Sequence, residues 1–476
     1  MNSSDDIVGG DLDRASRVPL HRQIYQRIAD AVLDGRLPPG SRLPSARSLA
    51  AQLAIARSTV DMAYQLLAGE GYVATRGAAG TVVDPALDQS LLNPGRIADP
   101  AIAAAPPAAE DPATRGPEML RPGLPALDAF PYKTWARLVA QQARAAGPAD
   151  LAYQTPAGDE WLRIQIGRYL AVARGIACEP EDILITSGYQ GALGLIARCL
   201  LGDAAAVWVE NPTYHLARDA LRLAGALPVG IPVDGEGFDI GYATTKAEPA
   251  RMAVLTPTHQ FPLGVSLSLA RRMALLKWAT AAQAWIVEDD YDSEFRYQGR
   301  PLPALKSLDR RDRVIYVGTF SKILSPGLRV GYMVVPKSLV RRFTEAAGAL
   351  QPPPTALVQA TIAAFLERGY MARHIRRMRR LYAKRRDALA DALTRQMGAD
   401  LTVDRQPGGM HLLARLPQGT DDVALVTRLN EMGIAPAPLS ACGVDAPYTP
   451  GLIIGFTNIE AEKAPEAARR LAQAMR

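Results

Sequence analysis

The sequence predicts two folded parts: a small, mainly helical head that ends in a β-hairpin, and a large α/β body. Three observations carry that prediction. The chain has 476 residues, more than one ordinary domain holds. Residues 84–117 are rich in Pro and Ala without sustained periodicity, and read as an extended linker of limited flexibility. Residues 14–83 carry helical periodicity, whereas along 118–476 apolar runs end in turns that open helices, as in a sheet with parallel strands.

In the head, Leu20, Ile24, Ile28 and Val32 recur every four residues and predict a first amphipathic helix. Gly35 ends it, and the run LPPG breaks the chain. Ser45 can cap a second helix with Leu49 and Leu53 inward. A turn at Ala54–Ala56 leads to a third helix with Val60, Tyr64 and Leu67 on one face, closed by Gly71. Tyr72–Thr75 and Thr81–Asp84 then flank a glycine-rich tip, Arg76-Gly77-Ala78-Ala79-Gly80. Three helices and a hairpin make a winged helix-turn-helix.

Charge points to double-stranded DNA as its partner. No acid lies between Gly35 and Val60, while Arg36, Arg42, Arg47 and Arg57 do. Arginine dominates the whole chain, with only eight lysines among 54 basic residues, so the lack of acids is the more informative sign. Arg57-Ser58-Thr59 opens the third helix, where a recognition helix reads base edges. Arg42, Arg47, Arg57, Ser58, Thr59 and, at the wing tip, Arg76 are the candidate contacts to phosphates and bases.

In the body the most informative stretch is TFSKILSPGLRVGY, residues 319–332. Lys322 follows an apolar strand, is flanked by Thr319 and Ser321, and precedes Arg329. A lysine so placed suits an aldehyde cofactor carrying a phosphate: the amine forms a Schiff base, and hydroxyls, arginine and backbone amides hold the phosphate. In AWIVEDDYDSEFRY, a buried strand leads to Asp289 and Tyr291, two apart and on one side of an extended chain. A carboxylate can keep a pyridine nitrogen protonated and a phenol can sit beside the ring hydroxyl, although acids after a strand also serve as helix caps or metal ligands. The strand Ile183–Thr186 runs into Ser187-Gly188-Tyr189 and a helix, which offers free amides to a phosphate. Another strand ends at Asn211-Pro212, and Tyr214 beyond it can stack on a ring or fill core. One ligand at the carboxyl edge of a parallel sheet explains all four loops together.

These residues resemble the fold-type I pyridoxal-phosphate enzymes, specifically the class I aminotransferases, over roughly 118–476. The resemblance implies a large domain and a small C-terminal domain from about residue 345. It makes Lys322 the aldimine lysine, pairs Asp289 with the pyridine nitrogen and sets Tyr291 beside the ring hydroxyl. Gly188, Tyr189, Thr319, Ser321 and Arg329 would bind phosphate, and Tyr214 would stack on the ring. Two departures stand out. The family's Asn-Pro-x-Gly reads Phe261-Pro262-Leu263-Gly264, leaving His259 or Gln260 to stand in for the Asn. Where the family's arginine grips the substrate carboxylate the best alignment puts Ile453, which cannot make a bidentate contact and argues against efficient transamination.

The run GSRLPSARSLAAQLAIARSTVDMAYQLLAGEGYV looks like the GntR family of bacterial regulators. A head of that type fused to an aminotransferase-like body is the arrangement of the MocR subfamily. That resemblance implies a head-to-tail homodimer, an operator with two half-sites, and pyridoxal 5'-phosphate, alone or with an amine or amino acid, as effector, in the control of vitamin B6 or amino-acid metabolism. The rivals are an active aminotransferase with a vestigial head, and a DNA-binding protein whose body only holds the dimer together. The helix expected over 368–386 carries nine Arg or Lys, and its basic face is either solvated or a further DNA contact.

Net charge is +6, and Cys178, Cys199 and Cys442 show neither metal spacing nor a disulfide framework. With an acidic N-terminus unlike a signal peptide and no apolar run of the ~20 residues a membrane span needs, a bacterial cytoplasmic, nucleoid-associated protein without metal or membrane is expected.

Overall fold

The computed structural model describes residues 8, 11–16, 18–75, 80–87, 119–297, 299, 302–398 and 401–475. They fall in two units, Met1–Asp111 and Pro112–Arg476. The linker expected over 84–117 lies outside the described residues from position 88 onward.

In the first unit the periodic positions become helices α1 (Leu20–Leu33), α2 (Ala46–Gln52) and α3 (Arg57–Gly69). Ser45 caps α2, its hydroxyl accepting from Ser48 N at 3.1 Å. α3 packs on both other helices, and Ile24, Ile28, Val32, Leu49, Val60 and Leu67 are sealed in one core. Leu20 is only half-buried, at the open end of the stripe. β1 (Val73–Thr75) pairs antiparallel with β2 (Thr81–Val83), Val73 opposite Val83.

The second unit begins with α4 (Tyr132–Ala145) and α5 (Glu160–Arg174). Its large sheet is formed by β3 (Ile183–Thr186), β4 (Ala206–Asn211), β5 (Leu227–Asp234), β6 (Gly237–Phe238), β7 (Met252–Leu255), β8 (Trp285–Asp290), β9 (Val314–Thr319) and β10 (Gly331–Val334), in the order β3-β10-β9-β8-β7-β4-β5-β6. β4, β5, β7, β8 and β9 run parallel, but β10 is antiparallel to both β3 and β9, and β6 to β5. The sheet is therefore mixed. β10 follows β9 after a short loop without the crossover a parallel partner needs, so it returns beside it antiparallel.

Helices cover both faces, and the strands read as continuous apolar runs for that reason. Ile315 and Val317 point to a core shared with α6 (Tyr189–Leu200) and α7 (His215–Leu223). Tyr316, between them, points to the opposite core with Ile166 of α5. α8 (Leu269–Ala281), α9 (Val340–Leu350) and α10 (Ala356–Glu367) complete the layers.

After α11 (Tyr370–Met397), β11 (Thr402–Asp404) and β12 (His411–Arg415) lead to α12 (Asp422–Glu431), β13 (Ala437–Pro438), β14 (Gly451–Gly455) and α13 (Ala464–Met475). The four strands form an antiparallel sheet, β11-β12-β14-β13. Met378 and Tyr382 of α11, Leu412, Ile454 and Leu471 make its core. No described helix is long and apolar enough to cross a membrane.

Candidate cofactor pocket and nucleic-acid interface

The carboxyl ends of β3, β4, β8 and β9 lie on one edge of the large sheet, and each is followed by a loop bearing a residue expected in the site. β8 and β9 are direct neighbours, Asp289 pairing with Val317, so Asp289 and Lys322 come to adjacent strand ends. The Lys322 amine donates to Gly123 O at 2.9 Å. Gly123 has φ +78°, a backbone conformation that favours glycine, and a Cβ there would sit 2.7 Å from that nitrogen and displace the amine. Gly123 carries no motif of its own, which is why sequence reasoning missed it.

Asp289 is buried and bonded to the Tyr189 phenol. Burial, then the neighbouring Asp290, pushes its carboxyl well above the usual range. Burial likewise pushes the Lys322 amine down, against the pull of Asp289 and Asp292. Burial thus shifts the amine toward its uncharged form, the form that attacks carbonyls, and shifts the acid toward its neutral form, which a cationic ring nitrogen would oppose.

The expected phosphate end lies where β3 turns into α6. Gly188 caps the helix with φ 86°, and the amides of the first helical turn, from Tyr189, lack intrahelical acceptors. Arg329, in a left-handed conformation at φ 51°, donates to Ser187 O at 3.3 Å and reaches beside Gly188. Thr319 Oγ1 accepts from Ser321 N at 3.1 Å, so these two hydroxyls share one tight turn. Gln351 bonds Ser187 Oγ, a contact from a distant helix end that no local motif announces.

Tyr214 stands at the start of α7 with its ring edge-to-face with Phe261, centroids 5.5 Å apart, and burial pushes its phenol up to about 12. Below, burial raises Glu210 to about 7, although Thr256 N (3.1 Å) and Oγ1 (2.6 Å) donate to it. Tyr189, Tyr214, Phe261, Glu210 and Asp289 line a common cavity.

The structure separates the two candidates for the missing carboxamide. Gln260 is spent on its own loop: Nε2 donates to Pro212 O (2.8 Å) and Phe261 O (2.6 Å), and Oε1 accepts from Leu263 N (3.0 Å). His259 Nδ1 lies 3.0 Å from the Tyr291 hydroxyl and 3.1 Å from Asp292 Oδ2. Asp292 was visible as the last acid of the run EDDYD but had no assigned role. Ile453 is fully buried among Leu263, Leu413, Leu439 and Cys442, so its position offers no cationic head to a ligand.

This donor set fits pyridoxal phosphate. An amine lowered by burial, a buried carboxyl without a cationic hydrogen-bond partner, an arginine at a helix N-terminus, and the Tyr291 hydroxyl beside His259 Nδ1 match an aldehyde, a ring nitrogen, a phosphate and a ring-oxygen edge.

In the first unit Arg57 and Ser58 open α3 on the surface and Thr59 is half-buried. Arg57 lies 3.4 Å from Asp61 one turn on, an exposed pair that holds it only weakly. Arg42 is exposed, its guanidinium beside Gly80 at the base of the wing, and Arg47 is exposed on α2. Arg36 pairs with Asp34 at 3.2 Å. Arg76 falls outside the described residues. On α11, Arg385 and Arg386 turn inward, Arg385 to Asp128 and Thr457 O and Arg386 to Gln406 O. The exposed basic face is narrower than expected: Arg373, Arg376, Arg377, Arg380 and Lys384.

Residues 20–83 match the bacterial regulatory proteins of the gntR family, and 127–471 match aminotransferase class I and II. The chain is 37% identical to the probable rhizopine catabolism regulatory protein MocR of Rhizobium meliloti, over 97% of this chain and 95% of that one. It is 35% identical to the pyridoxine biosynthesis transcriptional regulator PdxR of Corynebacterium glutamicum, over 91% of each. Among solved structures it resembles the Pyrococcus horikoshii kynurenine aminotransferase in complex with PMP, with a TM-score of 0.69 and 32% identity over 75% of this chain and 90% of the other.

Proposed function

This chain belongs to the MocR subfamily of GntR regulators, a pyridoxal-phosphate-binding transcriptional regulator, and on that footing we propose that the cofactor is itself its signal. The observation that carries the reading is the pairing of a retained amine and acid, Lys322 and Asp289, with an apolar Ile453 where an aminotransferase holds an arginine. A pocket that can capture the cofactor and cannot grip an amino-acid carboxylate at that position is suited to sensing.

Bound pyridoxal phosphate supplies an aldehyde for covalent capture and an electron-accepting ring. Lys322 presents the amine, poised at lower pH than a free lysine because burial disfavours its charge. Asp289 would hold the ring-nitrogen end, and Arg329 with Gly188, Tyr189, Thr319 and Ser321 the phosphate. Tyr291 would serve the ring hydroxyl and Tyr214 would stack on the ring. In the head, Arg42, Arg47, Arg57, Ser58, Thr59 and Arg76 contact DNA.

The protein acts as a homodimer with its chains head to tail, in the cytoplasm, and its two heads take two half-sites. Cofactor binding can shift operator affinity only by favouring one arrangement of the dimer. Control of vitamin B6 supply fits a relative named for pyridoxine biosynthesis. Pyridoxal phosphate titrated into a promoter-binding assay is expected to change affinity, footprint or DNA bend. No change in any of them, with or without candidate amines, removes the reading. Turnover with common amino acids and keto acids, joined to absent DNA affinity, favours the aminotransferase instead.

A further inference from the structure

Tyr291 is set beside the cofactor's ring oxygen, yet a phenol has one proton to give and two neighbours compete for it. Its hydroxyl lies 3.0 Å from His259 Nδ1, and the same nitrogen lies 3.1 Å from Asp292 Oδ2. His259 is 7% exposed and Asp292 2%. We propose that His259, fixed by Asp292, is the positioning residue that keeps the Tyr291 proton turned toward the cofactor's ring oxygen, the duty of the carboxamide absent at Phe261. The proposal rests on the pyridoxal-phosphate reading of this pocket.

The argument is one of proton placement. An ionised carboxylate only accepts, so Asp292 selects the imidazole tautomer with hydrogen on Nδ1. That N–H is shared between the Asp292 and Tyr291 oxygens. Tyr291 is then an acceptor from His259, and its own O–H is left for Asp292, to which it is also hydrogen-bonded, and for the cofactor's ring oxygen. The opposite tautomer would take the Tyr291 proton and leave nothing for the cofactor.

The ring is held in this setting from behind. A Cβ at Gly409 would overlap it, so the backbone of residue 409 is packed against its edge. Nε2 is buried without a hydrogen-bond partner. Gln260, the other candidate, has its amide committed to Pro212, Phe261 and Leu263.

The charged and titratable groups around this set come from four elements. Asp289, Tyr291 and Asp292 lie on β8 and its loop, Glu210 on β4, and Lys322 beyond β9. His411 lies on β12, its ring centroid 5.8 Å from that of His259. His411 donates Nε2–H to Pro262 O at 2.9 Å, and burial drops it to about 4, so it stays neutral beside His259.

A donor to the ring oxygen stabilises its anion, so losing that donor raises the pH at which the bound chromophore loses its proton. The test is the visible-absorbance pH titration of the full chain loaded with pyridoxal phosphate. His259→Phe is expected to raise the midpoint by about one pH unit, a tenfold change in the proton equilibrium. His259→Asn, which restores a carboxamide, should return most of it. In a Tyr291→Phe background, His259→Phe should add nothing, because the two act as one unit.

A His259→Phe midpoint within about 0.2 units of the parent, or a full extra shift in the Tyr291→Phe background, overturns the proposal and leaves the cofactor reading standing. Should His259→Phe fail to fold, His259→Leu, a smaller side chain without a hydrogen-bonding group, must raise the midpoint the same way; no rise there overturns the proposal equally. A folded parent that develops no visible band fails at the cofactor itself, a distinct outcome that removes both.

Discussion

Two regions of the body's second unit differ in what their buried positions hold. The ends of β8 and β9 bury Asp289 and Asp292, with Lys322 beside them and Arg329 beyond. Around β14 and the loop through Leu263, the buried set is Ile453, Leu413, Leu439 and Cys442. An acid or amine is expensive to bury, and such a site persists only where a ligand or partner uses it. Apolar packing needs no such use. The difference teaches that cofactor capture and substrate grip are separable features of this fold, and that this chain has kept the first.

The comparison is tested most severely at Lys322. Lys322→Ala should abolish the visible band and any borohydride-fixed adduct with pyridoxal phosphate, a total loss; a persistent adduct would move the capture to another amine. Next in size is Ile453→Arg. An unpaired charge in that cluster should cost about 3–5 kcal/mol in denaturant unfolding. A variant of undiminished stability that also gains amino-acid-dependent spectral changes would break the contrast between the regions.

Glu210 supplies a pH prediction. Its carboxyl sits at about 7 in the folded chain against 4.5. The folded state therefore holds a proton that the unfolded state has released between those values. The associated stability is full below pH 4.5 and is lost as pH rises through about 7. The loss is on the order of 3 kcal/mol, and Glu210→Gln should flatten that part of a stability-versus-pH curve. The smallest effect is at Arg329. Arg329→Ala should weaken cofactor retention by about 2 kcal/mol, roughly thirtyfold, read by dialysis and absorbance.

Much of this was legible because it is local. The four-residue stripe of α1, the cap at Ser45 and the apolar runs of β3, β8 and β9 each arise from short-range periodicity or capping, and each is in the structure where those rules put it. The set Lys322, Asp289, Tyr291 and Arg329 was legible because residues just beyond strand ends converge on one edge of a sheet. Gly123 and Gln351 were not, since they meet Lys322 and Ser187 across 199 and 164 residues, and His411 was not, since it comes from another sheet. The basic run of α11 misled in part: side-chain type is written in the sequence, but whether Arg385 faces solvent or Asp128 depends on what packs opposite.

The sequence by itself determined the division into head and body, the helices and most strands, and which reactive side chains stand just beyond strand ends, because periodicity, caps and turn residues act over a few positions. Only the tertiary structure decided that β10 runs against its neighbours, that His259 rather than Gln260 meets Tyr291, and that Ile453 is sealed in an apolar cluster. Those outcomes depend on which distant segments compete for the same space and the same protons, a competition that no single stretch of chain encodes.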